Sequence, residues 1–200
     1  AREEKKLKDE IIEVRTHNAT ISLDSCIRPD TTTKTLSELK PAFDKKGTVT
    51  AGTSSPLTDG AAGVLIVSEN YSKDNGIEPI AEIKSMAVSG CSPEIMGIGP
   101  VEATNKALKR AGLKLSDIDV IELNEAFAAQ SIAVLKELNI EESKLNIDGG
   151  AIAIGHPLGA TGARITGKAA QLVKREQKNL SLATQCIGGG QGIATIMEAI

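Results

Sequence analysis

From residue 101 to the C-terminus, stretches with helical spacing of apolar residues alternate with short runs that read as buried strands. This alternation limits the possible folds more than any other feature of the sequence. Residues 101–112 read as a helix closed by Ala111-Gly112, 118–123 as a buried strand and 125–138 as a strongly apolar helix. Residues 145–154 read as a buried extended run interrupted by two glycines. Residues 160–177 read as an amphipathic helix, with Ile165, Ala169, Leu172 and Val173 on one face. Two further strands, 182–187 and 192–196, are joined by Gly188-Gly189-Gly190 as a hairpin. Strands interleaved with helices build a helix-covered sheet, so the fold class is α/β. Apolar residues make up 40% of the chain and aromatics 2%, so the core must be built from Ala, Ile, Leu and Val.

The first hundred residues are less regular. Residues 1–14 have a helical pattern, 18–23 are extended, and 24–46 are polar and turn-rich with a short helix around 36–39. This opening segment has too few apolar residues to fold alone, and His17 within it reads as surface-exposed. Residues 48–56 read as a strand running into a small-residue loop, and 63–67 as a buried strand. A short helix over 70–76, closed by Asn75-Gly76, precedes a strand at 81–88 and an irregular glycine loop at 91–100.

Composition excludes several functions. With 23 basic and 26 acidic residues the net charge is −3, without the basic face that nucleic acid requires. No apolar run approaches a membrane span, and the charged start is unlike a signal peptide. The chain begins with Ala rather than Met, which reads as a processed end or a cut. Cys26, Cys91 and Cys186 are too widely spaced for a disulfide framework or a zinc site, so no metal is expected. A reducing, cytoplasm-like compartment follows, or an organelle if a targeting segment has been removed.

Three features fall at the ends of predicted strands, where α/β folds gather ligands. Asn124-Glu125-Ala126-Phe127-Ala128 follows the strand ending at Leu123. His156 lies in Gly155-His156-Pro157, after the run ending near Ile154. Cys186 is followed by Ile187-Gly188-Gly189-Gly190-Gln191-Gly192. An asparagine amide can hold a water or a carbonyl oxygen, and a histidine carries protons near neutral pH. A cysteine can act as base or nucleophile, and glycine-rich backbone exposes N–H groups to an oxyanion. Each also has an ordinary use. Asn124 could cap a helix, His156 could bond a carbonyl, Cys186 could fill a core and the glycines could form a turn. Their joint placement at strand-to-turn junctions is what points to chemistry.

These three motifs, in this order, resemble the active-site motifs of the thiolase family, the acyl-CoA acetyltransferases and 3-ketoacyl-CoA thiolases. Ile27-Arg28-Pro29-Asp30-Thr31-Thr32, residues 47–60 and Pro93-Glu94-Ile95-Met96-Gly97-Ile98-Gly99-Pro100 extend the resemblance over almost the whole chain. Thr53-Ser54-Ser55 with Leu57-Thr58-Asp59 is closer to the degradative 3-ketoacyl-CoA branch. The resemblance implies βαβαβαββ halves packed as an α-β-α-β-α sandwich, here truncated. Residues 1–46 would end the loop domain, 47–78 would end the N-terminal half, and 79–200 would form the C-terminal domain.

It also implies a reaction. A thiolate attacks the keto carbon of a 3-ketoacyl-CoA, acetyl-CoA leaves, and free CoA takes the acyl group from the enzyme. His156 would activate the nucleophile and, with a water held by Asn124, bind the thioester oxygen. Cys186 would protonate the departing carbanion and then deprotonate CoA, while the Gly188 N–H would serve a second oxyanion hole. Arg28 and Ser55 would meet CoA, and Phe43, Met96 and Phe127 would line the pantetheine and acyl tunnel. No cofactor is implied, coenzyme A being a substrate. The family's nucleophilic cysteine lies in the N-terminal half, and neither Cys26 nor Cys91 sits in a matching motif. The implied partners are an N-terminal thiolase half and further copies of the chain in a homo-oligomer. The alternatives are a non-catalytic module that binds CoA or packs on a thiolase-like subunit, or a condensing synthase of the same superfamily. Cys186 argues against the synthase, because those relatives usually carry histidine there.

Overall fold

The computed structural model describes all residues from Ala1 to Ile200. Residues 2–10 form hydrogen-bonded turns, with Lys5 left-handed at φ 58°, in place of the expected helix. Eight of the first ten residues are charged, which leaves almost no apolar stripe to pack, and only Leu7 is buried. A two-residue ribbon follows, β1 (Val14–Arg15) with β2 (Thr20–Ile21), and then the short helix α1 (Thr33–Ser37), capped by Thr32.

Two expected strands are absent. Residues 48–56 form two isolated bridges, Thr50 to Pro41 and Ser54 to Phe127, around a 3₁₀ turn at Ala51–Thr53. Residues 63–67 are irregular, with Leu65 and Ile66 exposed. Their β-branched composition suits a strand, but no strand of this chain pairs with them. Helix α2 (Glu69–Asp74) ends at Asn75-Gly76 as read from sequence.

The second half forms three layers. One sheet has the strand order β3 (Ala81–Gly90), β6 (Gln191–Ala199), β5 (Leu180–Ile187), β4 (Val120–Leu123). β6 runs antiparallel to both neighbours, and β5 and β4 are parallel. Side chains alternate across it. On one face Leu182, Ile196, Ile121 and Ala87 pack on Ala103, Ala107 and Leu108 of α3 (Gly99–Ala111), with Leu135 and Leu138 of α4 (Ala128–Leu138) alongside. On the other face Ala183 and Met197 pack on Ile165 and Ala169 of α6 (Thr161–Arg175). The start of α3 crosses β6 so closely that a Cβ at Gly192 would run into the Gly99-Pro100 backbone, which requires glycine there.

The extended run expected at 145–154 is also corrected. Leu145 makes one parallel bridge to Ile121, after which Asn146 turns left-handed at φ 43°. Residues 151–154 then form one helical turn, α5 (Ala151–Ile154). The amide of Asn146 takes the place of a neighbouring strand. Its Oδ1 accepts from Leu123 N–H and its Nδ2 donates to Leu123 O, both at 2.9 Å.

Candidate active site

His156 follows α5 and not a strand. Its backbone N–H donates to Thr58 Oγ1 at 3.2 Å, a contact between residues 98 positions apart. Its ring is half-buried, with Nδ1 2.7 Å from Thr161 Oγ1 in the first turn of α6. The Thr161 hydroxyl donates to Pro157 O at 3.0 Å. With its one proton used there, the Thr161 oxygen accepts from Nδ1–H, and Nε2 keeps its lone pair. Burial, and after it the positive charge of Arg164, lowers the affinity of this imidazole for a proton below the ordinary histidine value. At neutral pH it is therefore a free base.

A pocket of about 530 Å³ opens beside this ring. His156, Ser55, Met96, Phe127, Leu57 and Leu158 are among its lining residues. Four of these were named from sequence: His156, Ser55, Met96 and Phe127. The segment 124–127 holds one wall. Ala126 O accepts from both the N–H (3.0 Å) and the hydroxyl (3.2 Å) of Ser55, and Phe127 is bridged to Ser54. Phe43 does not line the pocket. It is 78% exposed and meets the Phe127 ring edge-on, with centroids 6.3 Å apart.

Asn124 directly follows β4 and Cys186 lies near the end of its parallel neighbour β5, so both sit at the C-terminal end of these strands, where Asn124 N–H donates to Thr184 O at 3.0 Å. Asn124 is fully buried and neither atom of its amide has a partner. Nor does it cap α4, whose N-cap is Phe127. Cys186 is buried, which pushes its thiol above the ordinary range, with a backbone hydrogen bond pulling only part of the way back. The thiol therefore rests protonated, the state of an acid. Gly188 is exposed in the hairpin turn, and the turn is fastened by Cys91 N–H donating to Gly190 O at 2.7 Å. Arg28 is exposed and does not line the pocket.

Behind these residues lies a charged layer that was not anticipated from sequence. Asp148 accepts from Lys168 (2.5 Å) and, through both oxygens, from Arg175 (2.5 and 2.9 Å), and Lys168 also pairs with Glu10. Burial pushes the Asp148 carboxyl up, but its hydrogen bonds from Arg175 and Lys168 win, and it is held below the ordinary aspartate range. Glu122, two residues before Asn124 on β4, is buried and its carboxyl is pushed up to about 8 by burial, against Arg164 and Lys168. Lys168 and Glu122 gave no signal in the sequence, since charged residues are mostly exposed. Thr58 and Glu125 stand inside quoted motifs but had no assigned task.

Residues 77–199 match the family model for the thiolase C-terminal domain, and residues 1–70 match that for the thiolase N-terminal domain. The chain belongs to the thiolase family. It is 54% identical over 200 residues to the 3-ketoacyl-CoA thiolase of Idiomarina loihiensis, covering 96% of this chain and 52% of that protein. The corresponding protein of Marinobacter nauticus is 53% identical over 209 residues, covering 100% and 54%. Among solved structures, the Bacillus anthracis acetyl-CoA acetyltransferase superposes with a TM-score of 0.96 at 42% identity, covering 100% of this chain and 52% of the other. Human mitochondrial 3-ketoacyl-CoA thiolase in complex with CoA superposes at 0.92 and 42% identity, over 100% and 50%. This thiolase chain thus spans about half the length of its relatives. No helix in it is long and apolar enough to cross a membrane.

Proposed function

We propose that this chain carries the acid–base and oxyanion groups of a thiolase that cleaves 3-ketoacyl-CoA to acetyl-CoA and a shortened acyl-CoA, or runs the reverse condensation. The observation that carries this reading is the neutral His156, its ring fixed by Thr161, opening with Ser55, Met96 and Phe127 on one largely apolar pocket. The names of the relatives agree with it.

In this scheme His156 takes the proton of the nucleophilic thiol, which is supplied by the N-terminal part of the enzyme. The thiolate bonds to the keto carbon and the C2–C3 bond breaks. The electron pair leaves with acetyl-CoA as its enolate, which takes the proton of Cys186. The resulting Cys186 thiolate takes the proton of CoA, whose sulfur then bonds to the acyl carbon and releases the enzyme thiolate. Protons and electrons balance over the cycle. Carbon–carbon cleavage needs an acid for the carbanion and fixed donors for the oxygen, and Asn124 and the Gly188 N–H supply donors. The orphaned Asn124 amide supports this, being a buried polar group without a partner in the protein. Coenzyme A enters as substrate, with Ser55, Met96 and Phe127 along its path, Phe43 at the rim and Arg28 towards the nucleotide end. Residues 1–46 serve as the end of a loop domain, 47–78 as the end of the N-terminal half and 79–200 as the C-terminal domain. The working form is an oligomer in the cytoplasm.

Thiolysis of acetoacetyl-CoA and of a longer 3-ketoacyl-CoA, followed at the thioester absorbance, tests this reading. The chain alone should be inactive, and a separately made N-terminal thiolase segment should restore turnover. Turnover by the chain alone would assign acyl transfer to Cys26, Cys91 or Cys186 and overturn the scheme. No turnover after complementation would point to a non-catalytic module.

A further inference from the structure

One residue of the Asn124-Glu125-Ala126-Phe127 run has no part in the proposed chemistry. Glu125 does not line the pocket. Its carboxylate instead reaches across to the segment that leads into His156. Oε1 accepts from Asn146 Nδ2 at 2.7 Å, and Oε2 accepts from Ile152 N–H at 3.1 Å, in the first turn of α5. Gly150 packs so tightly on the carboxyl group that a Cβ there would overlap it.

We propose that Glu125 is the positioning residue that fixes the turn bearing His156 relative to Asn124. Three observations carry this. First, both groups that the carboxylate meets are donors. Asn146 Oδ1 is used by Leu123 N–H, so its NH₂ must face Glu125, and Ile152 offers a backbone N–H. Only a carboxylate accepts at both oxygens, and a glutamine would set its own NH₂ against one of them. Second, the bonds tie the two site elements directly. Asn146 is locked to the last residue of β4, immediately before Asn124, while Ile152 lies four residues before His156. Third, α5 is a single turn with no side-chain cap of its own, so its placement depends on contacts of this kind. Thr58 holds the far end of the segment at the His156 N–H, which leaves Glu125 to hold the near end.

The proposal rests on the reading that His156 and Asn124 serve one reaction, but its test needs no turnover, so the two can fail separately. NMR on the 200-residue chain would follow amide exchange at Ile152 and the imidazole titration of His156. Glu125→Gln and Glu125→Ala should speed Ile152 exchange about tenfold or more, from loss of a bond to a charged group. Both should also move the His156 midpoint up towards the ordinary value as the turn opens to water. Val134→Ala, which hollows the buried face of α4, should lower the melting temperature and change neither readout. If Glu125→Ala does not fold, the isosteric Glu125→Gln decides. A folded Glu125 variant with wild-type Ile152 exchange and a wild-type His156 midpoint overturns the proposal.

Discussion

The Thr161 hydroxyl lies 2.7 Å from Nδ1 of His156 and 3.0 Å from Pro157 O, so one side chain at the start of α6 fixes the tautomer of the site's only histidine. His17, the other histidine of the chain, is exposed. Thr161→Val keeps the shape and removes the acceptor. In the complemented enzyme, thiolysis should fall roughly three- to tenfold, the equivalent of one hydrogen bond. The ¹⁵N shifts of His156 should move towards a mixture of tautomers. A Thr161→Val protein with unchanged shifts would show that the ring is held by packing alone.

Glu122 sets a pH dependence of stability. Its folded carboxyl titrates at about 8 against an ordinary 4.5, so the folded chain keeps a proton that the unfolded chain has lost. The stability linked to this group is therefore full below about pH 4.5. It falls as pH rises to about 8, and is flat beyond. His156 acts with the opposite sign below its ordinary 6.5, since its folded affinity for protons is lowered. The diagnostic is thus a difference. The melting temperature of Glu122→Gln minus that of wild type should grow steadily between pH 5 and 8, and a constant difference would refute a buried neutral acid.

Asp148 is the anion between two cations, one of them the 3%-exposed Lys168 side chain. Asp148→Ala strands that ammonium in the interior and should cost about 3–5 kcal/mol in urea unfolding. Because its carboxyl is held below the ordinary 3.8, the stability it provides is present above that value and lost as pH falls beneath it. The acid limb of the wild-type stability curve should therefore flatten in Asp148→Ala. A loss below 1 kcal/mol would mean that Glu10 alone suffices for Lys168.

Apolar groups stand open to solvent on several surfaces: Leu57, Leu65 and Ile66 upstream, and Met86 and Val88 on edge strand β3. Large apolar side chains left this open in number are normally covered by a partner. The chain alone should bind a hydrophobic fluorescent dye and elute from gel filtration as associated species. Adding the N-terminal segment should suppress both. A compact, dye-silent monomer would show that these side chains need no cover.

The elements legible in the sequence were those whose partners lie within the chain. Helices α3, α4 and α6 and strands β3, β5 and β6 were read within a few residues, because Ile165, Leu172 or Leu182 face a core that this chain itself supplies. Two of the misread stretches beyond the charged opening run show why others were not. Residues 63–67 have strand composition, yet a strand exists only when another strand accepts its hydrogen bonds, and none here does. Residues 145–154 have strand-like apolarity, but Asn146 and Gly149 in left-handed backbone break the run after one bridge.

The sequence by itself determined the α/β class, the three motifs and the residue types that chemistry requires, since periodicity and local chemistry are properties of neighbouring residues. The tertiary structure alone decided how those types behave. It made His156 a neutral base by burying it beside Arg164 and Thr161. It kept Cys186 protonated and left the Asn124 amide without a partner. It also clasped the histidine turn between Thr58 and Glu125. Proton affinity and hydrogen-bond partnership depend on burial and on groups brought from far along the chain, 98 positions in the case of Thr58 and His156, and no local pattern encodes those distances.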